Sequence, residues 1–155
     1  LEAGHVSATG PTSTLLTQLN LPLAQGDSAA AVIAGKVQAH EPDFHLTQVC
    51  FPGGCLRFVT PPRHPVRPLG QSVRLRVQAR DVSLTLTRQA DTSILNVLPA
   101  TVVELREDSP GYVMVALDAG GARLLARVTR KSADALQLAP GKAVFAQVKG
   151  VALLD

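Results

Sequence analysis

The sequence predicts an all-β protein built from small barrels, with one or two short helices. Three observations predict this class. Apolar and polar residues alternate with a period of two in several segments, turn-forming residues recur at short intervals, and only two segments have helical composition. With 155 residues, of which 46% are hydrophobic, the chain can bury one ordinary core or two small ones.

The clearest strand is predicted at residues 73–80, where every odd-numbered residue is apolar and every even-numbered residue is polar. After Asp81 the apolar positions are even-numbered, from Val82 to Leu86. Because a strand directs alternate side chains to opposite faces, this change of phase predicts a bend or bulge at Asp81 between two strands.

Turns are predicted wherever Gly, Pro and Ser cluster between apolar runs. These clusters are Pro52-Gly53-Gly54, Ser109-Pro110-Gly111, Ala119-Gly120-Gly121 and Pro140-Gly141, and they bound strands such as Tyr112–Asp118 and Ala122–Val128. The Pro-rich run 61–68 cannot form a central strand, since proline lacks the backbone N–H, so we expect a surface connection or an edge there.

Two short helices are predicted. The first covers Thr12–Leu19 and follows Pro11, a residue that suits the start of a helix. The second covers Ser132–Leu138 and is closed by Pro140-Gly141.

A weak internal repeat relates residues 77–84 to residues 146–153. Each segment has a basic residue at its fourth position, Arg80 or Lys149, followed by a second apolar alternation. The repeat suggests two related barrels. Chance similarity is the alternative, because any two alternating segments resemble each other.

Composition argues against two classes of partner. The net charge of +3 permits nucleic-acid binding, but the chain has only four Phe and one Tyr, and no basic run, so we expect no nucleic-acid partner. No stretch approaches the ~20 apolar residues that span a membrane, and Leu1–Gly4 does not resemble a signal peptide. We therefore expect no direct membrane insertion.

The two cysteines, Cys50 and Cys55, flank a predicted hairpin turn and could form a disulfide or half of a metal site. A zinc site needs four ligands, and the nearby histidines show no ligand spacing. We interpret the cysteines as two reduced structural thiols and expect no metal site.

Five sequence blocks occur in the order found in a known family: Thr92–Leu98, Gly120-Gly121, Ala126–Ser132, Leu136–Gly141 and Val148–Val151. On these blocks, residues 92–154 resemble the molybdate-binding Mop module, an OB-like barrel of the TOBE group that is appended to transport ATPases. Residues 1–11 resemble the last hairpin of an ABC ATPase domain. Residues 20–24 and 80–84 resemble the linker and the regulatory half of molybdate-importer ATPases, often called ModC.

The resemblance implies a domain organisation: residues 1–24 as the ATPase tail and linker, 25–91 as a first OB-like subdomain, and 92–155 as a Mop/TOBE subdomain. It implies tandem or fused OB-like barrels that form a homodimer and work with transmembrane permease subunits on the cytoplasmic side of the bacterial inner membrane. No phosphate-binding loop is present, so ATP would bind only in an ATPase domain outside this chain, and we expect no catalysis by the chain itself.

The resemblance also implies an oxyanion site for molybdate or tungstate. Tetrahedral dianions need convergent hydrogen-bond donors and positive charge. By position these donors are Ser93, the backbone near Ile94 and Leu95, Thr129, Lys149 and the Gly150 N–H.

Each assignment has a structural alternative. Ser93 could cap the turn before a strand at Ala100, and Lys149 could be a solvated edge charge. Leu95 stands where the family often has Arg and offers no side-chain donor, which predicts weaker binding. We interpret Asn96 as a turn-former.

Three other functions remain open. The chain could be a structural dimerisation module without a ligand. It could be a molybdate-storage protein, although the ATPase-like start argues against this. It could be an OB-type nucleic-acid binder, which the shortage of aromatic residues opposes.

Overall fold

A computed structural model describes residues 29–60 and 67–154. These residues form two five-stranded antiparallel sheets. The strands are β1 (Ala30–Glu41), β2 (Leu46–Phe51), β3 (Gly54–Val59), β4 (Ser72–Gln78), β5 (Val82–Thr85), β6 (Asn96–Ser109), β7 (Tyr112–Ala119), β8 (Ala122–Thr129), β9 (Ala143–Val148) and β10 (Ala152–Leu154). A short helix, α1, covers Arg130–Ala135, and 3-10 turns cover Pro42–Phe44 and Ala79–Asp81. The predicted all-β class with paired OB-like barrels is confirmed.

The two sheets have matching strand orders and exchange one strand each. The orders are β10-β4-β1-β2-β3 and β5-β9-β6-β7-β8. Thus β5, from the first half of the chain, pairs with β9 of the second sheet, and β10, from the end of the chain, pairs with β4 of the first. The boundary at residue 91 stays a prediction, and these two strands pair across it.

The repeated segments form the two connections between the sheets. Residues 79–81 lead from β4 to β5, and residues 149–151 lead from β9 to β10. The connections touch, because the Lys149 N–H donates a hydrogen bond of 2.8 Å to the Asp81 backbone oxygen. The predicted bend at Asp81 is confirmed, since β4 ends at Gln78 and the 3-10 turn ends at Asp81.

Among the described residues, the larger of two core clusters joins both sheets. Apolar side chains with 1% or less exposure, such as Leu56 and Leu75 from the first sheet and Leu98 and Leu117 from the second, belong to one contiguous cluster. Burial of these side chains supplies most of the driving force for folding. The two sheets therefore form one packed unit in the described part of the chain.

The turns β2–β3 and β7–β8 also pack directly against each other. A Cβ atom on Gly53 would overlap the Ala119 oxygen, and one on Gly120 would overlap Gly53 Cα. Only residues without a side chain permit such a close backbone approach. The predicted turn glycines thus have a second role in joining the two hairpins.

The interpretation of Cys50 and Cys55 as reduced thiols is wrong. They lie directly opposite each other in the β2–β3 pairing and form a disulfide. The antiparallel register brings their Cβ atoms to the same side of the hairpin, which a spacing of five residues does not by itself reveal.

The predicted second helix lies two residues earlier than expected and is shorter. It covers Arg130–Ala135 instead of Ser132–Leu138. Gln137 has a φ of 54°, a left-handed conformation in which a right-handed helix cannot continue. The predicted helix Thr12–Leu19, the segment 1–24 and residues 61–66 of the Pro-rich run lie outside the described residues. Across 29–60 and 67–154, no helix has the length and apolar character that crossing a membrane requires.

Candidate oxyanion site

Five of the six predicted site residues border one groove of 490 Å³, which we call the β3 groove: Ser93, Ile94, Leu95, Lys149 and Gly150. Residues of β3, including Arg57, form its other wall. The sixth predicted residue, Thr129, borders a neighbouring groove of 540 Å³ at α1. Ile94 and Lys149 line both grooves, so the structure brings all six residues to one region of the surface.

The segment 93–95 offers fewer donors than its sequence predicts. The Ile94 N–H already donates to the Thr92 hydroxyl at 3.1 Å, so Thr92, not Ser93, closes this turn. The structural alternative, in which Ser93 caps this turn, is therefore wrong, and the strand begins at Asn96, not Ala100. The exposed Ser93 hydroxyl makes no hydrogen bond to a described residue and is open to a ligand.

Asn96 is a buried structural residue, so its interpretation as a turn-former is wrong. It is 6% exposed and begins β6. Its amide NH₂ donates to the Arg57 oxygen at 2.9 Å, and its amide oxygen accepts from the Arg57 N–H at 2.7 Å. A side-chain amide carries the same donor and acceptor as a peptide group, and Asn96 therefore pairs with β3 as a strand would.

Lys149 and Gly150 follow β9 and have a carboxylate close by. The Lys149 side chain is exposed, whereas its N–H is occupied by the Asp81 backbone oxygen. A Cβ atom at Gly150 would lie 2.9 Å from Asp81 Oδ2. The negative charge of Asp81 opposes an anion beside Gly150, while the Lys149 ammonium attracts one.

Thr129 caps α1. Its hydroxyl oxygen accepts from the Ser132 N–H at 3.1 Å, and its O–H donates to the Ser132 hydroxyl at 2.9 Å. This is the usual way in which threonine satisfies a free N–H at the start of a helix. Thr129 can contribute to a ligand only by giving up its bond to the Ser132 hydroxyl.

Arg57 was not among the predicted site residues, although it borders the β3 groove. Its Nε donates to Glu41 Oε2 at 2.9 Å. An arginine on the polar face of an alternating strand is ordinary, and nothing local indicates that β3 lies beside residues 93–95. The groove thus combines two cationic side chains, Arg57 and Lys149, with a free hydroxyl, which is the chemistry of anion binding.

The family model of the TOBE domain matches residues 92–154. These residues are therefore similar to a TOBE domain, and they contain β6 to β10, α1 and every predicted site residue. Arg57 lies outside the matched residues, among the β3 residues that line the groove.

Longer proteins match nearly the whole chain. The chain resembles the C-terminal region of these ModC proteins. The molybdenum import ATP-binding protein ModC of Albidiferax ferrireducens is 56% identical over 99% of this chain. ModC 1 of Azotobacter vinelandii is 47% identical over 99% of it. The chain spans 41% and 42% of these two proteins, respectively.

A crystal structure of the cytoplasmic molybdate-binding protein ModG, with molybdate bound, has a similar fold. The TM-score is 0.64, and the match covers 79% of this chain and 95% of ModG. Since the sequence identity is 24%, this likeness concerns the fold alone.

Proposed function

We propose that the chain is the C-terminal regulatory and dimerisation region of the ATP-binding subunit of a molybdate importer, and that it binds molybdate or tungstate in the β3 groove. The observation that carries this proposal is the match of 99% of the chain to molybdenum import ATP-binding proteins at 56% and 47% identity. ATP hydrolysis would belong to the ATPase domain of the longer protein. The regulatory region would then lie on the cytoplasmic side of the inner membrane, near the permease subunits.

The groove supports binding of a fully deprotonated dianion. Ser93, Lys149 and Gly150 line it, and they carry a hydroxyl, an ammonium and a backbone N–H that can donate to an anion. Phosphate near neutral pH carries a proton that needs an acceptor, so molybdate and tungstate fit such a set of donors better. The groove is also open, and a second subunit would reduce its contact with water.

Dimerisation is supported by apolar side chains at the rim of the groove. Val59 and Leu95 line it and are 68% and 58% exposed. A second copy of the chain would cover these side chains and enclose the anion between subunits. An anion that favours one arrangement of the two copies would then restrain the ATPase cycle of the transporter, which is how feedback inhibition would act.

A structural dimerisation module without a ligand is the second candidate. It is favoured by Leu95, which has no side-chain donor, and by the carboxylate of Asp81 beside Gly150. Both features reduce the affinity for an anion without affecting association of two subunits.

Isothermal titration of the 155-residue chain with molybdate, tungstate, sulfate and phosphate separates the two candidates. The oxyanion proposal expects saturable heat with molybdate and tungstate, and weaker or no heat with phosphate, which carries a proton, and with sulfate, which is a smaller ion. If no anion binds at millimolar concentration while light scattering shows a dimer, the structural module is the correct function.

A further inference from the structure

We infer that Arg57 is an oxyanion-binding residue, which supplies the β3 groove with a second positive charge in addition to that of Lys149. This inference rests on the proposed oxyanion function. A dianion is bound more tightly by two cationic donors than by one, and residues 93–95 supply no charged side chain. Among the described residues that line this groove, Arg57 is the one arginine.

The backbone of Arg57 is fixed relative to the predicted site residues. Both of its backbone hydrogen-bonding groups pair with the side chain of Asn96, at 2.7 and 2.9 Å. Asn96 directly follows Leu95 in the chain and is buried. The position of Arg57 beside residues 93–95 is therefore held by two hydrogen bonds, and it does not depend on the Arg57 side chain.

The guanidinium of Arg57 has donors to spare. Among the described residues, only Glu41 bonds its side chain, through Nε, and the terminal nitrogens make no hydrogen bond to any of them. The side chains of Arg57 and Glu41 are 38% and 36% exposed. The planar guanidinium has five N–H donors, and the described residues occupy only the one at Nε, so with respect to them its terminal N–H groups can donate to two oxygens of a tetrahedral anion.

A comparison within the molecule distinguishes Arg57 from a structural arginine. β3 and β8 hold the same place in the two sheets, and Arg57 and Arg127 each lie two residues before the end of their strand. Arg127 is held by Asp108 at 2.6 Å, by the Ser109 hydroxyl at 3.2 Å and by the Tyr112 ring, whose centroid lies 3.8 Å away. Arg127 is only 15% exposed, and Asp108 is 3% exposed, so this arginine is built into the fold.

Titration of the 155-residue chain with sodium molybdate tests the inference. Arg57→Gln should weaken molybdate binding about tenfold, because a charge-assisted hydrogen bond is lost from a partly exposed site. Arg57→Lys should bind molybdate with an affinity between those of wild type and Arg57→Gln, since a lysine keeps the charge but not the planar pair of donors. Glu41→Gln should tighten binding about two- to threefold, because it removes a negative charge that competes with the anion for Arg57.

The matched control is Arg106→Gln. Arg106 also pairs with a glutamate, Glu104, at 3.3 Å, and the two side chains are 43% and 46% exposed, but neither residue borders the groove. Arg106→Gln should leave the affinity for molybdate within about twofold of wild type, because exposed charges outside the groove act weakly at a distance in salt. Thermal unfolding of each variant checks that the fold is retained.

The outcomes are distinguishable. If wild type binds molybdate and Arg57→Gln behaves as Arg106→Gln does, Arg57 is not a ligand, and the proposed function stands. If wild type binds no oxyanion, the proposed function and this inference both fail. If Arg57→Gln does not fold, the Glu41→Gln result decides: tighter binding supports Arg57 as a ligand, and unchanged or weaker binding overturns it.

Discussion

The side-chain amide of Asn96 forms a matched pair of hydrogen bonds with the backbone of Arg57, 39 residues earlier in the chain. These bonds connect the first residue of β6, in one sheet, to the middle of β3, in the other. They close the gap between the two sheets at the wall of the β3 groove. The geometry of the groove therefore depends on a buried asparagine that does not itself need to contact the ligand.

Asn96→Ala should destabilise the protein by about 2 kcal/mol, because two hydrogen bonds are lost and the Arg57 peptide groups lose their partners. Urea unfolding followed by circular dichroism measures this loss as a lower midpoint. Ser93→Ala is the control, since the exposed Ser93 hydroxyl bonds no described residue, and it should change stability by less than about 0.5 kcal/mol. Equal midpoints for the two variants would show that the Asn96 pair contributes nothing.

Thr129→Ala should cost about 1 kcal/mol of stability, because the Ser132 N–H at the start of α1 loses its cap. Thr129→Ser keeps the hydroxyl and should retain most of that stability. Thermal unfolding compares the two variants. A loss of molybdate affinity in Thr129→Ala without any loss of stability would instead make Thr129 a ligand.

Lys149→Ala should weaken molybdate binding about tenfold and leave stability nearly unchanged, because the lysine side chain is exposed and borders both grooves. Lys131 is an exposed lysine of α1 that lines neither groove, so Lys131→Ala is the control. Isothermal titration gives both affinities. An unchanged affinity in Lys149→Ala, with molybdate binding intact in wild type, would place the site elsewhere.

Replacement of both cysteines by serine should cost about 2 kcal/mol, the value expected when a disulfide closes a loop of a few residues. The short separation of five residues keeps the effect small. A reducing agent should destabilise wild type by the same amount and should not affect the double variant. If wild type unfolds at the same urea concentration with and without reductant, hairpin pairing alone holds β2 against β3.

The chain should be a dimer in solution, and Leu95→Glu should dissociate it, because a charge would replace an exposed apolar side chain at the rim of the groove. Val103→Glu is the control: Val103 is 38% exposed on β6, away from the groove, and should leave the dimer intact. Light scattering at high micromolar concentration measures the mass. A monomeric wild type would contradict dimerisation.

Local patterns in the sequence determined the strands and the bend between them. The alternation at residues 73–80 and its change of phase at Asp81 correspond to β4, a 3-10 turn and β5. Both are encoded by neighbouring residues, since a strand repeats every two residues and the phase shows where it bends. The family resemblance likewise located residues 93–95 and 149–150, which the fold then brought to one groove.

Only the tertiary structure decided which distant residues meet. The exchange of β5 and β10 and the pairing of Asn96 with Arg57 depend on how distant strands pack, a relation between segments that no local pattern records. Arg57 is an ordinary polar residue of an alternating strand when read locally. It becomes a candidate ligand only because the shared core packs β3 beside the start of β6, 39 residues later.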